Sequence, residues 1–324
     1  MAAPSTSHVF LFPGQGSQHV GMGQFLYNDF PIAKQTFEEA SDAISMDMKK
    51  LCFFSDDTTL ALTENTQPAL LTVSIATFRV LQSVRELHIN ALAGHSVGEY
   101  AALVASNALT FTDGVRLVRK RGQLMQEAVP VGEGGMCAVI GLTPEEVLKL
   151  CEWAEKETGL SPLEPANYNS PDQIVVSGNI QIIEWLKENF KPEKLGWTKK
   201  VRMIPLKVSA PFHCSMMKPA EEAMEQELLD ISFSDSQLAV VQNYTSLAHV
   251  DANELRENIT RQISGAVRWS QSMELILRMG THQFIECGCG KVLTGLLKKI
   301  DTTSSPAFNI NSLDDVIAFE KSGD

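Results

Sequence analysis

Short apolar runs alternate with longer stretches of helical periodicity through most of this chain. That alternation predicts an α/β fold with a largely parallel sheet. The first run is His8–Phe12, followed by the glycine-rich loop Pro13-Gly14-Gln15-Gly16-Ser17-Gln18. The second is Ile89–Ala93, which runs into Gly94-His95-Ser96-Val97-Gly98. A helical pattern follows from Val97 to about Leu109, and Thr112 or Asp113 caps another reaching about Val129.

The pattern changes after Gly132-Glu133-Gly134-Gly135. Met136–Ile140 reads as a strand, Pro144–Thr158 as a helix, and Leu163–Tyr168 and Gln173–Ser177 as strands around the turn Asn169-Ser170-Pro171-Asp172. Ile180–Phe190 then reads as a helix and Val201–Val208 as a strand. The order β-α-β-β-α-β is the ferredoxin-like split unit. Residues 132–205 are therefore expected to form a small inserted subdomain, with 1–131 and 206–324 making up the large one. Alternation resumes in the latter: helices over Met216–Leu229, Ala252–Ile263, Ser270–Met279 and Val292–Ile300, strands over Leu238–Gln242 and His282–Glu286.

Composition narrows the function. Asp plus Glu number 39 against 27 Lys plus Arg, a net charge of -12. A sequence-independent nucleic-acid binder needs the opposite sign, so neither nucleic acid nor an anionic membrane is an expected partner. The six cysteines include no CxxC pair, and no HExxH helix is present, so no metal site is expected. Sparse cysteines suit a reducing compartment. The N-terminal stretch MAAPSTSHVFLFPG has no basic start and only a short apolar run, so no signal peptide is expected and the location is expected to be cytoplasmic. No apolar stretch approaches the ~18 residues of a membrane span.

Gly94-His95-Ser96-Val97-Gly98 is G-x-S-x-G between an apolar run and a helical pattern, the layout of a nucleophile elbow. Such a turn exposes the Ser96 hydroxyl at the strand end. It also puts the Val97 amide at a helix N-terminus, where unpaired donors suit an oxyanion. The alternative is a plain strand-to-helix turn. A serine nucleophile needs a base. Of the seven histidines, His213 lies in a loop between a strand and a helix, where open α/β sheets place their sites. No strand between Ser96 and His213 ends in an Asp suited to a standard triad, so an amide or a backbone carbonyl is left to orient the imidazole.

Arg121 falls within the apolar stripe Leu117, Val118, Leu124, Met125, Ala128 of its helix. An arginine on a buried face needs an anion, which is either a structural Asp or Glu or a carboxylate on a substrate. Neither glycine-rich loop is a phosphate loop. No Gly-Lys-Ser/Thr follows Gly14-Gln15-Gly16, and Gly288-Cys289-Gly290-Lys291 is followed by Val292.

Taken together, FPGQGSQ (Phe12–Gln18), GHSVGEYAAL (Gly94–Leu103), RKRGQLMQEAVP (Arg119–Pro130), APFH (Ala210–His213) and GKVLTGL (Gly290–Leu296) resemble bacterial malonyl-CoA:acyl-carrier-protein transacylases over nearly the whole chain. The resemblance implies an α/β-hydrolase-like parallel-sheet large subdomain with the ferredoxin-like one inserted. It implies Ser96 as nucleophile and His213 as base, with the main-chain carbonyl of Gln262 orienting the base. Gln15 and Val97 correspond to the oxyanion hole. Arg121, Gln262 and Phe212 correspond to the substrate-binding set, Arg121 as the carboxylate clamp. Asn167 and Asn169 are further cleft candidates. Phe212 goes with malonyl rather than branched units in related domains. One departure is Cys289, where the family usually has Pro.

The resemblance further implies malonyl-CoA and acyl carrier protein as partners, a place in fatty-acid biosynthesis, and no cofactor beyond the coenzyme A carried by the substrate. A monomer is expected. Carrier proteins are usually acidic, so docking calls for a local basic patch. Lys194, Lys199, Lys200 and Arg202 form one such cluster, and Lys291, Lys298 and Lys299 another. A thioester hydrolase and a non-catalytic acyl-binding scaffold are the competing readings.

Overall fold

The computed structural model describes residues 7–280, 283–301 and 307–322. His282 and the first residues of the N-terminal stretch lie outside the described residues. In chain order the strands are β1 (His8–Phe12), β2 (Ile89–Gly94), β3 (Gly134–Ile140), β4 (Leu163–Ser170), β5 (Gln173–Asn179), β6 (Arg202–Pro205), β7 (Ala239–Val241), β8 (Ala248–His249), β9 (Gln283–Glu286) and β10 (Ala307–Asn309). They form two sheets.

The large sheet has the order β10-β9-β1-β2-β7-β8 and is parallel apart from the antiparallel β7–β8 pair. Side chains of β1 alternate between its faces. Phe10 and Phe12 pack under the helices Thr63–Val84, Gly98–Ala105 and Phe111–Glu127. Val9 and Leu11 pack against Trp269, Met273, Leu293 and Leu297 on the other side. Both faces are covered, as a parallel sheet requires.

The small sheet has the order β4-β5-β3-β6 with every neighbour antiparallel. The helices Pro144–Thr158 and Ile180–Asn189 cover it, giving the ferredoxin-like arrangement. It is sewn to the large unit by main-chain bonds from Tyr168 N to Val267 O, 2.9 Å, and from Val267 N to Ala166 O, 2.8 Å.

Residues 19–88, for which the sequence pattern assigns no element, hold five helices: Gln24–Asp29, Pro31–Ile44, Met48–Phe54, Asp57–Ala61 and Thr63–Val84. The last is buried almost all round, so it has no polar stripe to reveal it. It also contains Pro68 and several buried threonines; Thr72 and Thr77 return their hydroxyls to the carbonyls of Pro68 and Val73. Two other expectations change. The helix carrying Arg121 starts at Phe111 and is capped by Thr110, whose hydroxyl accepts from Asp113 N at 3.1 Å. The strand expected over Val201–Val208 is confined to β6; Leu206 N still donates to Met136 O of β3 at 2.9 Å, and Leu206, Lys207 and Val208 line a cleft.

Candidate active site

The site begins with the register of two strands. Phe12 of β1 is paired with Gly94 of β2, so the loops after both emerge side by side. His95 N donates to Phe12 O at 3.0 Å and fixes the turn against its neighbour. The turn leaves no room at either motif glycine. A Cβ on Gly98 would lie 2.1 Å from Phe12 O, and one on Gly94 would lie 2.0 Å from Gly98 C. Ser96 itself is at φ +52°, a left-handed conformation unfavourable for a serine.

Asn243, just beyond β7, pins this turn. Its Oδ1 accepts from Ser96 N at 2.7 Å and its Nδ2 donates to Gly94 O at 2.7 Å. Its own main-chain N–H donates to Glu99 Oε2 at 2.7 Å. Sequence reasoning missed both Asn243 and Glu99. The available signal was the polar pair Gln242-Asn243 at the end of a predicted strand, where sites of α/β sheets gather.

His213 lies in the loop after β6 with Nε2 2.8 Å from Ser96 Oγ. Its Nδ1 is 2.8 Å from the main-chain carbonyl of Gln262. A carbonyl only accepts, so Nδ1 carries the proton and Nε2 turns its lone pair to the serine hydroxyl. The imidazole is 4% exposed. Burial, reinforced by the Arg121 charge, pushes its pKa down to about 3, so it is a neutral base near pH 7.

Arg121 is 2% exposed. Its Nη1 donates to Gln67 Oε1 at 2.8 Å, and its Nη2 to Gln262 Oε1 at 2.9 Å and Ser96 Oγ at 3.2 Å. Its Nε has no partner. Among the described residues no carboxylate is in ion-pair contact with it; the nearest acidic influence is Glu99, set behind the Gln262 amide that bridges the two. Burial lowers its pKa, and the nearby Tyr100 and Glu99 offset that only in part.

A cleft of about 440 Å³ opens onto these groups between the two sheets, with Gln15, Ser96, Arg121, Phe212 and His213 in its lining. Asn167 and Asn169 line it too, and Asn169 Oδ1 lies 2.8 Å from His95 Nε2. Val97 sits at the start of the helix Gly98–Ala105, where its N–H has no intrahelical acceptor. Gln262 is placed differently from the other substrate-binding candidates. It is fully buried behind the cleft and touches Ser96, His213 and Arg121 from the protein side. Glu99 is also fully buried and accepts from Gln262 Nε2 at 2.9 Å and Gln242 Nε2 at 3.0 Å. Burial pushes its carboxyl up to about 7.

Of the basic clusters, Lys199 is spent on Glu146 at 2.6 Å, and Lys194 lies over the Trp153 ring. Lys299 reaches Gln173 Oε1 at 2.7 Å, on the rim of the cleft, and Val292 of the same helix also lines it. Cys289 is buried beside Met22, its Sγ 3.6 Å from that sulfur, away from the reactive serine.

An elbow serine facing a carbonyl-oriented histidine, with a buried guanidinium beside it, is an arrangement chemically suited to acyl transfer. The model of the acyl transferase domain matches residues 9–307. The chain belongs to the acyl transferase family. As a family member it is 42% identical over 305 residues to a malonyl CoA-acyl carrier protein transacylase of Salmonella typhimurium, covering 94% of this chain and 96% of that protein. A malonyl CoA-acyl carrier protein transacylase of Coxiella burnetii superposes with a TM-score of 0.91 at 38% identity, covering 98% of each chain. A malonyl-transacylase solved in complex with a type II PKS acyl-carrier protein gives a TM-score of 0.91 at 38% identity, covering 98% of this chain and 100% of that one. The chain is therefore an acyltransferase, and its parallel sheet is the one shared with these structures. Among the described residues, no helix is long and apolar enough to cross a membrane.

Proposed function

We propose that this protein moves malonyl from coenzyme A to the phosphopantetheine thiol of acyl carrier protein through a malonyl-serine intermediate, supplying fatty-acid biosynthesis in the cytoplasm. The observation that carries the reading is Arg121, a buried cation in contact with no carboxylate among the described residues, 3.2 Å from the Ser96 hydroxyl. The names of the relatives and the carrier-bound neighbour support the donor and the acceptor.

In the first half-reaction His213 Nε2 takes the Ser96 proton as Oγ attacks the thioester carbonyl carbon. The charge that develops on the carbonyl oxygen is met by the main-chain N–H groups of Val97 and Gln15. Each donor of this kind contributes ~10²–10³ in rate. The intermediate collapses, the C–S bond breaks, and coenzyme A leaves with the proton from His213. In the second half-reaction the carrier thiol gives its proton to His213 and attacks the ester; Ser96 leaves and is reprotonated. Arg121 holds the free carboxylate throughout. Phe212 narrows the cleft against a branched acyl chain, a preference of ~1–3 kcal/mol per methyl group. The chemistry needs no cofactor, and the cleft is complete within one chain, so a monomer suffices.

Intact mass after mixing with malonyl-CoA, and again after adding carrier protein, tests this. A malonyl adduct on Ser96 that then moves to the carrier is the expected result. An adduct lost to water with the carrier unlabelled would make the protein a hydrolase. No adduct and no turnover would leave a non-catalytic acyl-binding scaffold.

A further inference from the structure

Glu99 is a fully buried carboxylate that the transfer reaction does not use. It makes no contact ion pair among the described residues, and the Arg121 charge acts on it only across the Gln262 amide. Three donors converge on it instead: Asn243 N at 2.7 Å, Gln262 Nε2 at 2.9 Å and Gln242 Nε2 at 3.0 Å. Two of these are immovable. Asn243 N is main chain. The Gln242 amide is locked, because its Nε2 also donates to Leu255 O at 3.0 Å and its Oε1 accepts from Asn258 Nδ2 at 2.9 Å.

The third donor is the one with a choice. A glutamine amide can turn over and exchange its oxygen for its nitrogen. Gln262 Oε1 accepts from Arg121 Nη2 at 2.9 Å, while its Nε2 faces Glu99 Oε2, Ser96 O at 3.1 Å and Asn243 Oδ1 at 3.3 Å, of which only Glu99 is charged. Turned over, Gln262 would set an oxygen against those three acceptors and an NH₂ against the guanidinium.

We propose that Glu99 is a positioning residue that locks the Gln262 amide in this orientation, and thereby holds the Arg121 guanidinium where it selects acyl groups bearing a carboxylate. The inference rests on the reading of Arg121 as the carboxylate clamp. It places part of the site's specificity behind the cleft, in a group that touches no substrate. The acetyl group has no carboxylate, so the ratio of malonyl to acetyl transfer isolates the effect on Arg121. Any slackening of the elbow acts on both substrates alike.

The test is Glu99→Gln. In either orientation of the new amide Gln262 Nε2 loses its charged acceptor: the NH₂ faces the locked Gln242 and leaves Gln262 a neutral oxygen, or it faces Asn243 N and Gln262 Nε2 themselves. At pH 8 the malonyl-to-acetyl ratio of kcat/KM is expected to fall at least about tenfold, as loss of a hydrogen bond to a charged group allows. The ratio in an Arg121→Met background should not change further on adding Glu99→Gln, and the side-chain amide NMR signals of Gln262 should shift in the substrate-free protein. Glu99→Met, similar in size and without hydrogen-bonding atoms, is the second variant. A folded variant with an unchanged or raised ratio would overturn the proposal, as would failure of both variants to fold, which would make Glu99 a scaffold group. A wild-type protein that transfers neither acyl group would overturn the proposed function instead. The Gln262 signals, read without substrate, would still report whether Glu99 orients the amide.

Discussion

Ser96 and His213 face each other at 2.8 Å, and both hold a left-handed backbone, at φ +52° and +59°. A serine disfavours this region more than a histidine does, and a non-glycine residue held there costs ~1–3 kcal/mol that the surrounding structure must offset. At Ser96 the restraint is visible in the two Asn243 hydrogen bonds and the close approach of Gly98 to β1. The strain presents the hydroxyl to the cleft. Ser96→Gly should therefore be more stable than Ser96→Ala by about 1 kcal/mol, and both should be inactive. Urea unfolding of the pair measures the difference, and equal midpoints would show that the elbow stores no strain.

Arg121 gives a sharper prediction. A charge-assisted hydrogen bond is worth ~1.5–3 kcal/mol, so a carboxylate held by two should be preferred by ~10² or more. Arg121→Ala should lose that much malonyl transfer while keeping or gaining acetyl transfer. Parallel kcat/KM measurements with malonyl-CoA and acetyl-CoA decide it; equal losses for both would remove the clamp assignment.

The buried His213 and Glu99 should leave opposite marks on stability against pH. His213 has its pKa pushed down to about 3, so between its unfolded value near 6.5 and 3 the unfolded chain binds the extra proton. Its contribution to stability therefore falls as pH falls through that window, by up to about 1.4 kcal/mol per pH unit. Glu99 has its pKa raised from 4.5 to about 7, so the folded chain binds the extra proton there, and its contribution is lost as pH rises from 4.5 to 7. Relative to wild type, His213→Gln should gain stability on acidification below pH 6.5, and Glu99→Gln should gain it as pH rises from 4.5 to 7. Melting temperatures of the three proteins across pH 4–8 test both signs.

Carrier docking should follow the helix Val292–Ile300. Lys298 and Lys299 are exposed on it, and Lys299 touches the cleft rim through Gln173. Lys199 is already paired with Glu146. Glutamate substitutions at Lys298 and Lys299 should slow transfer to the carrier several-fold at low salt while leaving Ser96 acylation unchanged. The same changes at Lys199 and Lys200 should do little. Stopped-flow measurement of each half-reaction separates the cases, and the reverse pattern would move the dock to the small sheet.

Most of the element order between Ile89 and Ile300, the elbow and the oddity of Arg121 could be read from the chain, because these are local. Strand runs, the G-x-S-x-G turn and an arginine within an apolar stripe are each written within a few consecutive residues or helical turns. The split β-α-β-β-α-β unit was legible for the same reason. The helix Thr63–Val84 was not, because tertiary packing buries all its sides and erases the periodicity that would mark it. Only the tertiary structure decided what surrounds Arg121. Gln67 and Gln262 come from segments 54 and 141 residues away along the chain, and no carboxylate touches the guanidinium directly. Asn243 and Glu99 went unread because each looks like an ordinary polar residue until the chain closes around it. A buried hydrogen-bond network has no sequence period; its members are chosen by distance in space, and the low dielectric there makes each bond count.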